Sequence, residues 1–231
     1  MQIYTNMAWP GDPYRTGQQL YRRPVPRLAA FTAQTAHGDH LGPSAVAIVY
    51  LPLHRTRTLI VTEQTLTFGF RTASTGDLAE LPSLAAIADL DVMQARRHAA
   101  VLTGHQLADD LAGLRLSGAT AALRGLLAVE QEWATRGQVA GRAATFDCWR
   151  DLPGTPPLEL ACRQVRIIAS PEDSRDSTKL DAWHASAAAV ERALTIALIC
   201  ARHQGRYDWT GTLHSGSIVA AATWDFLPCG A

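Results

Sequence analysis

The chain has 231 residues, 47% of them hydrophobic; that is enough to bury a sizeable core, and it excludes an intrinsically disordered polymer. Lys plus Arg and Asp plus Glu both number 21, so the net charge is zero and a uniformly basic nucleic-acid binder is excluded, while a local basic groove is not. The positive charge is almost all arginine, Lys179 being the one lysine, which together with the many alanines fits a GC-rich bacterial coding sequence.

Residues 1–26 read as an extended arm, because Pro10, Pro13, Pro24 and Pro26 interrupt any regular element. Arg15, Arg22 and Arg23 make that arm basic. Three β-rich segments follow, at 27–36, 44–53 and 57–62, separated by turn formers at 37–39 and 54–55, and they predict an antiparallel meander. The period then changes. Leu84, Ile87, Ala88, Leu90 and Met93 recur at helical spacing and predict a helix over 81–99. A short apolar strand is expected at 99–104, helices at 107–116 and 120–135, and a strand at 142–146 ending at Asp147. A short helix is expected at 158–165, then a polar loop at 170–179. The strongest helix spans 180–203, with Val190, Leu194, Ala197 and Leu198 on one face. The tail from Arg206 reads as a loop or hairpin and a final strand within 217–224. Strands first and then alternating helices and strands predict one α/β domain over 27–205, a mixed sheet flanked by helices, with 206–231 packing on it as an extension.

Cys148, Cys162, Cys200 and Cys229 form no C-x-x-C pair and no zinc-ligand spacing, so they read as buried, reduced thiols of a cytoplasmic protein. The first residues do not read as a signal peptide, and no apolar run approaches the roughly 20 residues that span a bilayer, so no membrane association is expected. There is no phosphate-binding G-x-x-x-x-G-K-[ST] loop, no G-x-G-x-x-G and no G-x-S-x-G elbow.

Four phrases carry chemistry in order along the chain. The first is Phe31-Thr32-Ala33-Gln34-Thr35 on the first strand of the domain. The second is Gly104-His105-Gln106-Leu107-Ala108-Asp109-Asp110 at a strand-to-helix junction. Phe146-Asp147-Cys148-Trp149 ends a later strand, ahead of the short helix at 158–165. His184 opens the alanine-rich helix, with Ala189 five residues on and Glu191 two further. Together these phrases resemble the DEDD superfamily of 3′-to-5′ exonucleases, in the subclass with a histidine in its last motif, over roughly 27–204. The resemblance implies a ribonuclease-H-like fold, an antiparallel meander followed by parallel strands. It also implies hydrolysis of phosphodiesters by two Mg²⁺ or Mn²⁺ ions held on four acids, with the histidine drawing a proton from the attacking water.

The frame is kept while the acids are not. Thr32 and Gln34 stand where the family has aspartate and glutamate, Asp109 replaces an aromatic residue, and Ala189 occupies the last acidic position. Asp110 matches its family acid, and Glu191 can stand in only if the register shifts. By the resemblance, His184 and Asp110 are the catalytic-type residues and Asp110 and Glu191 the metal ligands. Thr32, Gln34, His105, Asp109 and Ala189 are the remaining cleft positions. Neutral oxygens supply no charge to draw a hard cation from its hydration shell, so the leading expectation is a degenerate, catalytically impaired domain that binds single-stranded DNA or RNA in the former substrate groove. Arg96, Arg97, Arg115, Arg142 and the arginines of the arm are the expected phosphate contacts. Two alternatives stay open: a protein-interaction or scaffold domain, including a homodimer, and an active exonuclease that uses Mg²⁺ or Mn²⁺ on rearranged ligands.

Overall fold

The computed structural model describes residues 1–7, 26–35, 43–118, 122–135, 141–170 and 182–223. The expected arm begins with a strand, β1 (Gln2–Thr5). The domain proper starts with β2 (Arg27–Thr35) and β3 (Pro43–Pro52), paired antiparallel from Arg27 opposite Pro52 to Gln34 opposite Ala45. Both strands alternate small or branched apolar residues to the two faces of the sheet. Leu28, Ala30, Ala45, Ala47 and Val49 enter one core, and Ala29, Phe31, Val46, Ile48 and Tyr50 enter the other.

The third strand of the meander differs from the sequence reading. The 57–62 segment contributes only β4 (Leu59–Ile60), outside the main sheet. The place beside β3 belongs to β5 (Gly69–Ser74), which also pairs with β1 on its far side. The physical reason is two-sided burial. Phe70 faces one core and Ala73 the other, whereas Ile60 is exposed.

A short 3₁₀ turn (Leu78–Glu80), capped by Asp77, leads into α1 (Leu81–His98). β6 (Val101–Gly104) then runs parallel to β2. α2 (Leu107–Ser117) and α3 (Arg124–Thr135) follow, the latter four residues shorter at its start than the periodicity predicts. β7 (Ala144–Asp147) runs parallel to β6 and completes a mixed sheet of order β1-β5-β3-β2-β6-β7. α4 (Leu158–Gln164), β8 (Ile167–Ile168), α5 (Ala182–His203), β9 (Tyr207–Asp208) and β10 (Leu213–His214) come next. The polar loop expected at 170–179 lies, beyond Ser170, outside the described residues.

The final segment is a second correction. The expected strand at 217–224 is a helix, α6 (Ser215–Thr223). A short apolar run does not reveal its period, and three consecutive alanines favour the helix. β9 pairs with β4 and β10 with β8, which ties this tail back to the domain.

Helices α1 to α3 cover one face of the sheet, and α5 fills the other. Among the described residues, α5 is the one helix long and apolar enough to cross a membrane; most of that length is buried within the protein. Val190, Ala193, Leu194, Ile196, Ala197 and Leu198 all enter the core on that side of the sheet.

Candidate functional site

β2, β6 and β7 run in one direction, and the sequence phrases lie where these three strands end. Crevices beyond the carboxyl ends of parallel strands are where open α/β sheets bind ligands. β6 stops at Gly104, opposite Asp147, while β2 runs on past its last partner on β6, Ala30. The chain then turns sharply into α2. A β-carbon on Gly104 would come within 2.6 Å of Leu107, and Gln106 takes a left-handed conformation with φ of 58°. This turn carries Asp110 to the overhanging part of β2.

Asp110 Oδ2 accepts the Ala33 N–H at 3.0 Å and the Thr32 hydroxyl at 3.4 Å. The carboxylate thus occupies the place a neighbouring strand would otherwise take. Burial pushes its pKa up to about 7, against the opposing pull of those two bonds and of Arg192. Asp109, the next residue, is exposed.

Thr32 and Gln34 face α5. Thr32 is fully buried, and the Gln34 amide donates to the Ala188 carbonyl at 3.4 Å. Along α5, residues 184, 188, 191, 192 and 195 recur at helical spacing and share one stripe. Ala188, Glu191, Arg192 and Thr195 of that stripe line a cavity of about 450 Å³ with Gln34. His184 lies one turn before Ala188 and is exposed. Ala189 falls off the stripe into the core. A residue five places after the histidine is therefore directed into packing here, and Glu191 is directed into the cavity.

The rest of the cavity comes from α4, β8 and the residues just after it: Leu158, Glu159, Cys162, Arg163, Ile167, Ile168, Ala169 and Ser170. Its volume falls in the usual range for small-ligand pockets. Its wall combines apolar residues with two guanidinium groups and two carboxylates. The Thr195 hydroxyl, 1% exposed, has no hydrogen-bond partner among the described residues. A buried polar atom without a partner is uncommon.

Glu191 is also a structural joint. Its Oε1 accepts the Ser170 N–H at 2.7 Å and the Ser215 hydroxyl at 2.9 Å, at the start of α6. Gly216 permits this approach, since a β-carbon there would meet Ser170 Oγ at 2.6 Å and Glu191 Oε1 at 3.3 Å.

His105 stands apart from the cavity lining. It is buried, its Nε2 lies 3.4 Å from the Pro156 carbonyl, and its ring packs edge-on against Trp149 at 5.8 Å between centroids. Burial, and then Arg192, hold its pKa below the ordinary histidine value. Asp147 is likewise a hub of local structure. It accepts the N–H groups of Gln106 and Trp149 on one oxygen and the Trp133 indole N–H on the other.

The donor set does not fit a two-metal centre. Thr32 and Gln34 are neutral, and Asp110 and Glu191 each have one oxygen already holding two donors. Among the described residues no group of three or more His, Cys, Asp and Glu side chains is placed to hold a metal ion.

Of the expected phosphate contacts, Arg15, Arg22 and Arg23 of the arm fall outside the described residues, and the others lie away from the cavity. Arg96 and Arg97 are in the last turn of α1 and Arg142 precedes β7, at the amino-terminal ends of the parallel strands and hence the far end of the sheet. Arg96 forms a bidentate pair with Glu132, and Arg115 pairs with Glu130. The two arginines at the cavity, Arg163 and Arg192, are ones that motif reading passed over. The α5 stripe could have exposed Arg192 and Thr195, because both share the helical face of His184. Comparison of the chain with models of known protein families, with curated proteins and with solved structures finds no match in any of the three.

Proposed function

We propose that the chain is a catalytically silent, ribonuclease-H-like domain of exonuclease type, which holds the end of a nucleic-acid strand in the cavity beside α5. The observation that carries this reading is the convergence of Thr32, Gln34, Asp110 and Glu191, from β2, α2 and α5, at one end of the sheet. The arrangement of an antiparallel meander followed by parallel strands supports the fold part of the reading. The cavity chemistry supports the ligand part. Arg163 offers a guanidinium group to a terminal phosphate, and Leu158, Ile167 and Ile168 offer an apolar wall to a base. The neutral Thr32 and Gln34 support silence, because a hydroxyl and an amide leave a hard cation without the charge it needs.

Fluorescence anisotropy with a short linear oligonucleotide, in chelator, tests the binding. Wild type binds, and Arg163→Ser and Gln34→Leu each weaken binding several-fold. Absence of binding to linear DNA and RNA would turn the reading towards a scaffold. Release of mononucleotides in Mg²⁺ or Mn²⁺ by wild type but not by Asp110→Ala would replace silence with activity.

A further inference from the structure

The end of the sheet remote from the cavity carries a row of unneutralised arginines. Arg27 opens β2, and Arg55 and Arg57 follow β3. Arg97 is in the last turn of α1, just ahead of β6. Arg142 precedes β7, and Arg206 precedes β9. The backbone holds these points together. Ala100 N–H donates to the Arg27 carbonyl at 2.7 Å, and Ala143 N–H donates to the Arg96 carbonyl at 2.9 Å. The Arg206 side chain donates to the Arg55 carbonyl at 3.2 Å, and the Leu59 N–H donates to the Arg206 carbonyl at 2.9 Å. The His54 ring nitrogen accepts from Thr56 N–H at 3.2 Å and Arg57 N–H at 3.0 Å, which shapes the turn that exposes Arg55 and Arg57.

None of the six forms an ion pair among the described residues. Among the described residues, two acids towards this end already have partners: Glu132 in Arg96, and Asp208 in Arg202 at 3.0 Å. A chain of zero net charge has thus gathered free positive charge at one end. The strand ends beside these arginines also form a row. β3, β2, β6 and β7 are neighbours, so their four arginine-bearing ends span about 14 Å at the usual strand spacing.

We propose that this row is a second nucleic-acid contact, which binds the sugar–phosphate backbone of a single strand without reading its sequence or needing its end. A line of guanidinium groups suits a linear polyanion with regularly spaced phosphates. A membrane surface would call for a plane of charge with apolar anchors, and among the described residues Ile60 is the one large apolar side chain strongly exposed beside these arginines. The row is independent of the cavity reading, since it involves none of the cavity residues.

A closed circular single-stranded DNA separates the two, because it has a backbone and no ends. Anisotropy of a labelled circle is measured against salt for the full chain, for Arg55→Ser/Arg57→Ser/Arg142→Ser, and for the same three positions changed to Lys. All three positions are exposed, and circular dichroism checks the fold. The serine variant is expected to bind the circle about 10-fold more weakly, with a log–log salt slope shallower by about 2, from 0.7 per lost phosphate contact. The lysine variant keeps most of the affinity. Equal binding by wild type and the serine variant overturns the row. Failure of wild type to bind the circle while it sediments with phosphatidylserine vesicles overturns it in favour of a membrane. Loss of linear-strand binding in Arg163→Ser with circle binding intact leaves the row standing.

Discussion

Asp110 shows how one side chain can satisfy a local structural need and still resemble a catalytic acid. Its Oδ2 completes the hydrogen bonding of β2 where β6 has ended. Its carboxyl is pushed up to about 7, chiefly by burial, so the folded chain keeps a proton that the unfolded chain loses near pH 4. The stability this proton contributes is complete below the unfolded value and is lost as pH rises through about 7. Asp110→Asn keeps an oxygen acceptor for Ala33 and Thr32 and removes the titration. Urea unfolding from about pH 3.5 to 8.5 should find the two proteins nearly equal at the acid end and the Asn variant more stable by about 4 kcal/mol at pH 8. The comparison between variants cancels the other buried acids, Asp91 among them. A gap that does not change with pH would show that Asp110 is ionised throughout. The motif spacing made this residue legible. Its hydrogen bonds were not, because they depend on where a different strand stops.

At the scale of elements, close approach decides which glycines matter. α1 and α3 touch at Gly125, where a β-carbon would meet the Asp89 carbonyl at 2.3 Å and Met93 at 3.1 Å. Asp89 Oδ1 then accepts the Leu126 N–H at 2.8 Å, so the first turn of α3 is capped by a side chain of α1. Gly125→Ala should therefore cost about 2–3 kcal/mol, as overpacking of a tight contact does. At Gly113, inside α2, a β-carbon would have nothing within 4 Å, and Gly113→Ala should instead gain about 0.5–1 kcal/mol from helix propensity. Thermal melts of the two variants check both signs at once, and a gain at Gly125 would mean that the helices can separate freely. The helices themselves were readable from their periodicity. The strand at 69–74 was not, because both its faces are buried and its alternation is masked. α6 was misread for the related reason that nine apolar and small residues carry no clear period.

For the whole molecule, the sheet separates two hydrophobic cores. The core on the α5 side encloses Cys148, Cys162 and Cys200, and all three are free thiols. Burial pushes Cys162 and Cys200 up to about 12 and Cys148 well above its ordinary value. A thiol reagent at pH 8 should leave Cys148 and Cys200 unmodified in the native protein and label them in denaturant, while Cys162, which lines the cavity, reacts only slowly because burial raises its pKa; mass spectrometry of peptides assigns each one. Rapid native labelling of Cys200 would show that α5 detaches from the sheet. Cys229 lies outside the described residues.

Length, composition and periodicity were sufficient for an α/β chain with a long core helix, because those properties depend on residues close together in sequence. The order of the motif phrases was sufficient to direct attention to Thr32, Gln34, Asp110 and the start of α5. Tertiary structure decided the rest. The stripe on α5 sends Glu191 and Arg192 to the cavity and Ala189 to the core, which follows from helix rotation against the sheet. The arginines at 96, 97 and 142 go to the opposite end, because a parallel crossover returns the chain to the start of each strand before the next begins. Charge counted along a sequence carries no record of which end of a sheet receives it, and the topology of the strands supplies that assignment.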